Sequence, residues 1–183
     1  MILIINTCNE KLHYLEFVKP VEEIIENLGE EYSIRHYKNL TKADLENSNK
    51  IIICGTSLQD DEFLVNLKKF DWIKTSEKPL LGICAGFQII GLVFGGVLKK
   101  QTEIGFYFEY FLNNFLGLKG KQEVYHLHNN FVNFSQLSDF EIFCKSGEIS
   151  QAVKHKSKNI FGVLFHPEVR QKDLIRNFIK IGF

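Results

Sequence analysis

The 183-residue chain has no surplus of either charge, with 22 lysines and arginines against 22 aspartates and glutamates. No global field therefore draws it to nucleic acid or to an anionic membrane, and any partner has to be found by local surface. No apolar stretch approaches the length of a membrane span, and no charged-then-apolar leader precedes a small-residue cleavage site, so a cytoplasmic location is expected. Repeats, low-complexity tracts and linkers are missing as well, and at this length a single domain with one core, 1–183, is expected. Cysteine is sparse: Cys8, Cys54, Cys84 and Cys144 have no metal-ligand spacing and three of them lie inside apolar runs, so they read as buried thiols in a reducing compartment and not as a disulfide framework.

What is there is an alternation of short apolar runs and amphipathic stretches. Residues 1–6 and 50–54 are isoleucine-rich and end in polar residues or glycine, as buried parallel strands do. Between them Phe17, Val21, Ile24, Ile25 and Leu28 recur at helical spacing before Gly29, and 32–37 alternates like a second strand. Ser57 is placed to cap a next helix, with Asp60 and Asp61 in its first turn and Phe63, Leu64, Leu67 and Phe70 on one face. A strand over 79–84, a helix over 85–94 and a stop at Gly95-Gly96 follow. From Val97 onward the apolar runs 104–112, 123–127, 141–145, 151–154 and 160–165 arrive without helices between them, which predicts antiparallel strands, and 172–181 is a closing amphipathic helix. The fold class is α/β, a mostly parallel central sheet with helices on both faces, extended by antiparallel strands in the C-terminal half.

Cys84 lies in Pro79-Leu-Leu-Gly-Ile-Cys-Ala-Gly-Phe-Gln88, where a strand turns abruptly into a helix. Such a bend exposes the side chain at its apex and points unpaired N–H groups of the helix start at the sulfur, which favours thiolate. Gly82 and Gly86 permit the close approach of strand and helix that the bend requires. Downstream, Phe165-His-Pro-Glu-Val169 carries an imidazole and a carboxylate two residues apart. Pro167 biases His166 toward extended backbone, so His166 and Glu168 project to one side. Together they make a Cys84–His166–Glu168 triad of thiol, proton acceptor and orienting carboxylate. Cys8, Cys54 and Cys144 lack this setting and read as structural, and His13, His36 and His155 read as solvated.

In these motifs, Gly82-Ile-Cys-Ala-Gly-Phe-Gln88 with Gly95-Gly96 and His166-Pro-Glu168, the chain resembles the class I (triad-type) glutamine amidotransferases, and most of all the glutaminase subunits of archaeal two-subunit GMP synthases. The resemblance implies an oxyanion hole made by the Ala85 N–H and by a loop reading Cys54-Gly55-Thr56-Ser57, with Thr56 where the family's donor glycine stands. A β-branched residue suits a positive φ poorly, and losing one such donor typically costs about 2.7–4 kcal/mol of transition-state stabilisation. It also implies glutamine-binding roles for Gln88, Gly55, Leu127 and His128, the last two in place of a Ser-His pair.

The expected activity is attack of Cys84 on the carboxamide of L-glutamine, release of ammonia, and hydrolysis of a γ-glutamyl thioester. This chemistry calls for no metal and no organic cofactor. With no Gly-x-x-x-x-Gly-Lys loop in the chain, the resemblance implies that the ammonia is consumed by a separate ATP-dependent synthetase subunit. Two alternatives stay open: a γ-glutamyl hydrolase or cysteine peptidase of the same fold, and a catalytically weak regulatory relative.

Overall fold

The computed structural model describes residues 1–182. It begins with β1 (Ile2–Asn6), α1 (Lys11–Phe17), α2 (Lys19–Glu26), β2 (Tyr32–His36), α3 (Lys42–Asn47) and β3 (Lys50–Ile53). Next come α4 (Glu62–Val65), a 3₁₀ stretch Leu67–Lys74, β4 (Leu80–Ile83) and α5 (Ala85–Val93). The C-terminal half holds β5 (Leu98–Phe115), β6 (Leu118–Val132), β7 (Phe140–Ser146), β8 (Ile149–His155), β9 (Ile160–Val163) and α6 (Lys172–Lys180).

These nine strands form one sheet in the order β2-β1-β3-β4-β9-β8-β7-β5-β6. The five strands from β2 to β9 run parallel. Beyond β9 every pairing is antiparallel. β4 and β9 are neighbours in register, Ile83 beside Val163, so the chain leaves the sheet at Cys84 and at Leu164 on the same edge. That adjacency brings two sequence-distant motifs together at the carboxyl ends of the parallel strands.

Each central strand is buried on both faces, which is why it reads as a continuous apolar run. Ile2, Ile4, Ile52 and Leu81 pack with Phe17, Val21, Ile25, Leu174 and Phe178 from α1, α2 and α6. Leu3, Ile5, Ile51 and Leu80 pack on the opposite side with Phe87, Ile90, Phe70 and Ile73 from α5 and the 3₁₀ stretch.

Two local expectations give way, and one helix arises that apolar periodicity did not announce. The single helix expected through Phe17 and Leu28 breaks at Val18, the junction of α1 and α2, with Pro20 at the start of α2, the position where proline's missing N–H costs nothing. Ser57 caps no helix: α4 starts after Asp61, and the Asp60 carboxylate is taken by the Asn9 N–H and the Thr56 hydroxyl. Helix α3, closed by a capping box between Thr41 and Asp44, has no counterpart in the periodicity analysis.

β5 inverts the usual polarity of a strand. Its outward face shows Ile104, Phe106, Phe108, Tyr110 and Leu112, while Glu103 and Glu109 are buried.

Candidate active site

Cys84 occupies the bend between β4 and α5 with φ 48° and ψ −97°, a conformation L-residues rarely adopt. The surroundings hold it there. Its N–H donates to the Val163 carbonyl and its carbonyl accepts from the Gln88 N–H. Gly82 and Gly86 make the bend possible by close approach, since a Cβ on Gly86 would lie 2.3 Å from the Ile53 carbonyl oxygen and one on Gly82 would lie 2.6 Å from the Gly86 backbone. The thiol of this buried residue donates to the Leu127 carbonyl at 3.6 Å. Ala85 opens α5, so its N–H belongs to the unpaired first turn beside the sulfur.

His166 follows β9, and its N–H is fixed by the Tyr125 carbonyl. Nδ1 lies 2.7 Å from Glu168 Oε1, and because a carboxylate can only accept, Nδ1 carries a proton and Nε2 is left free of the carboxylate. Nε2 has no hydrogen-bond partner among the described residues. Burial works against the imidazolium, but the Glu168 carboxylate and Cys84 outweigh it and hold the His166 pKa well above the ordinary histidine value. Gly55 lies against both groups: a Cβ there would stand 2.8 Å from His166 Cε1 and 3.2 Å from Cys84 Cβ. The thiol, the imidazole and the carboxylate therefore share one buried corner of the sheet edge.

A narrow cleft opens beside Cys84, lined by Thr56, Ala85, Gln88, Leu127, His128 and Asn130 among others. Most of the pocket residues expected from sequence meet here, whereas Gly55 packs beneath the thiol and imidazole. Thr56 is not among the residues with positive φ, so its β-branch brings no backbone strain, and its hydroxyl is turned to Asp60 at 2.9 Å. Gln88 is buried and its amide donates to the Asn130 carbonyl at 2.8 Å, tying α5 to β6. Leu127 offers its carbonyl to the sulfur, and His128 turns its ring to Glu103, with Nε2 3.0 Å from Oε2. Burial depresses the His128 pKa in spite of that carboxylate.

The remaining cysteines are free and buried, and burial pushes the Cys8 thiol up to about 11. His155 is not solvated: it is buried between Phe94 and Phe140, and its Nδ1 accepts from the Ser157 and Lys158 N–H groups. His36 is half-buried, its Nε2 3.1 Å from the Cys8 carbonyl. Glu103 and Glu109, which no sequence motif marks, gather behind the cleft with His126 and His128; Glu103, His126 and His128 are the residues among those described that could hold a metal. Only the pairing of β5 with β6 reveals them, because Glu103 is remote from the histidines in sequence.

The family model for class-I glutamine amidotransferases matches residues 13–182. A glutamine-hydrolyzing GMP synthase subunit of Methanosphaera stadtmanae is 34% identical, over 86% of this chain and 96% of its own length. The glutamine-hydrolyzing GMP synthase of Spiroplasma kunkelii is 30% identical over 76% of this chain, which spans only 29% of that longer protein. Among solved structures, a Thermoplasma acidophilum protein described as a GMP synthase subunit superposes with a TM-score of 0.84 at 25% identity, covering 97% of this chain and 91% of that one. By family model, relatives and fold alike, the chain belongs to the class-I glutamine amidotransferases.

Proposed function

We propose that this amidotransferase hydrolyses L-glutamine to glutamate and ammonia with Cys84 as nucleophile, and passes the ammonia to a separate synthetase subunit of the GMP synthase type. The observation that carries the reading is the buried His166–Glu168 pair standing with the strained Cys84 around Gly55.

In this reading the thiol leaves the Leu127 carbonyl and gives its proton to His166 Nε2, while the sulfur attacks the carboxamide carbon. The oxygen of the tetrahedral intermediate takes the Ala85 N–H, with the 55–57 loop as the second side of the hole. Collapse breaks the C–N bond, and His166 returns the proton to the departing nitrogen as ammonia forms. Water then attacks the thioester, giving its proton to His166, which hands it back to the sulfur as glutamate leaves. Glu168 keeps the Nδ1 proton in place and steadies the imidazolium throughout.

The synthetase partner is supported by the names of the GMP synthase relatives and by the apolar outer face of β5, where Phe106 and Phe108 are 61% and 64% exposed. Contiguous exposed aromatics of this kind mark contact surfaces. The direct test is incubation with a glutamine-like chloroketone, with and without the synthetase component of a GMP synthase, followed by peptide mapping. An adduct on Cys84, together with glutamate release that Cys84→Ala abolishes, is expected. No adduct in either condition overturns the catalytic role, and turnover of γ-glutamyl peptides to the exclusion of glutamine overturns the substrate.

A further inference from the structure

Behind the cleft, on the side of β6 away from the Leu127 side chain, four ionisable groups are sealed from solvent. His126 is 0% exposed, His128 2%, Glu109 4% and Glu103 8%. The pairing of β5 with β6 sets Glu103 opposite His128 and Gly105 opposite His126. Residues two apart on a strand share a face, so both imidazoles converge on the Glu103 carboxylate. His128 Nε2 lies 3.0 Å from Glu103 Oε2 and His126 Nδ1 lies 3.6 Å from the same oxygen. One ligand atom from each of the three lies within 4.8 Å of the others.

Hydrogen bonding accounts for only part of this arrangement, the contacts of His128 and Gln151 with Glu103 Oε2. Among the described residues neither nitrogen of His126 has a hydrogen-bond partner, although the ring is fully buried, and the Gln151 Oε1 beside the cluster is orphaned too. Buried polar atoms in native proteins are almost always satisfied, and several orphans around one point call for a missing partner. A tetrahedral ion with ligands at about 2.0–2.1 Å sets its ligand atoms roughly 3.4 Å apart. The separations of 3.0 and 3.6 Å straddle that edge. The far side of His126 is built in the same sense: Nε2 faces Glu109 Oε1 at 3.3 Å, the carboxylate behind the imidazole that fixes which nitrogen meets a metal. Gln151 donates its amide N–H to Glu103 Oε2 at 2.9 Å and keeps a buried, unpartnered Oε1, an oxygen available as a further donor.

We propose that Glu103, His126 and His128 bind a divalent first-row cation of the zinc type, with Glu109 orienting His126. Two imidazoles and one carboxylate are a donor set for borderline ions of this class rather than for magnesium or calcium. The site is a positioning device for the active centre. Leu127 sits between the two ligand histidines, and its carbonyl is the group that holds the Cys84 thiol. The metal therefore clamps β5 to β6 at the residue facing the nucleophile, without itself touching the substrate.

The experiment uses the full chain, stripped with chelator and titrated with Zn²⁺ and separately with Co²⁺, and is independent of glutamine turnover. One equivalent is expected to bind, raising the melting temperature, and the Co²⁺ form is expected to show tetrahedral d–d bands without the intense sulfur-to-cobalt charge-transfer band. Glu109→Gln should weaken binding by about 10–100-fold, and His126→Ala by more. Cys84→Ala should leave it unchanged, which separates this site from adventitious capture by Cys84 and His166. His126→Asn serves if the alanine variant fails to fold. Absence of any stoichiometric ion or thermal shift in the folded wild-type chain overturns the proposal, as does equal uptake by the folded His126 variants or a thiolate band in the cobalt spectrum.

Discussion

At the scale of single residues the site depends on what is small. Gly55 leaves the room in which the imidazole and the thiol approach, and a Cβ there would stand 2.8 Å from His166 Cε1. Gly55→Ala is expected to lower kcat for glutamine at least about tenfold while circular dichroism stays that of the wild type, because a misplacement of the base by a fraction of an ångström is enough. Glu168 acts through the charge of His166. Since the folded-state pKa of His166 is raised, the stability it contributes is fully present below the unfolded value of about 6.5 and is lost as pH rises through the raised value. Glu168→Gln removes the main support of that raised pKa. The gap in unfolding free energy between wild type and Glu168→Gln, measured by denaturant titration, should therefore be wider near pH ~6 than near pH ~9.5. A gap that widens with pH would refute the assignment. These residues were legible because their chemistry is written locally: a small-residue bend around Cys84, and a proline holding His166 extended two residues before Glu168. The buried Glu103 and Glu109 were not, because an acid in an aromatic strand looks solvated until the pairing of β5 with β6 turns it inward.

At the scale of elements, strands and long amphipathic stretches were readable and breaks were not. Lys172–Lys180 forms the expected helix, with Leu174, Ile175, Phe178 and Ile179 buried. The interruption at Val18 keeps the same apolar face toward the sheet on both sides, so periodicity could not betray it. The helix expected from Ser57 starts only at Glu62, because Asp60 is captured by Asn9 and Thr56, a tertiary choice invisible in local sequence. Two predictions belong here. Thr41→Ala, which removes the capping box of α3, should cost about 0.5–2 kcal/mol in denaturant unfolding and leave glutamine turnover intact. Gly86→Ala forces a methyl to within 2.3 Å of the Ile53 carbonyl oxygen, so α5 must move off β3. A loss of about 1–3 kcal/mol is expected, accompanied by loss of Cys84 labelling as the bend opens.

At the scale of the molecule, the sheet has two characters. Its central parallel strands are buried on both faces and bring Cys84 and His166 together at their carboxyl edge, while the antiparallel half ends in the long β5–β6 pair. The four parallel pairings are matched by four antiparallel ones: apolar runs without helices between them announced the antiparallel strands after Val97, while the joining of all nine strands in one sheet is visible only in the strand order. Because the aromatic face of β5 points away from the core, replacing Phe106 and Phe108 together by serine should spare the stability of the isolated chain. Binding to the synthetase partner, read by calorimetry, should fall by tenfold or more, and unchanged affinity would remove β5 from the contact.

Cys84 holds its backbone at φ 48° and ψ −97°. A backbone twisted into a region hospitable only to glycine is held there at the expense of conformational stability, on the order of 1–3 kcal/mol. Replacing the sulfur-bearing residue by glycine should relax the twist, whereas alanine would keep it. The Cys84→Gly protein is thus expected to outlast both the wild type and Cys84→Ala on heating, as a chain freed from that contortion.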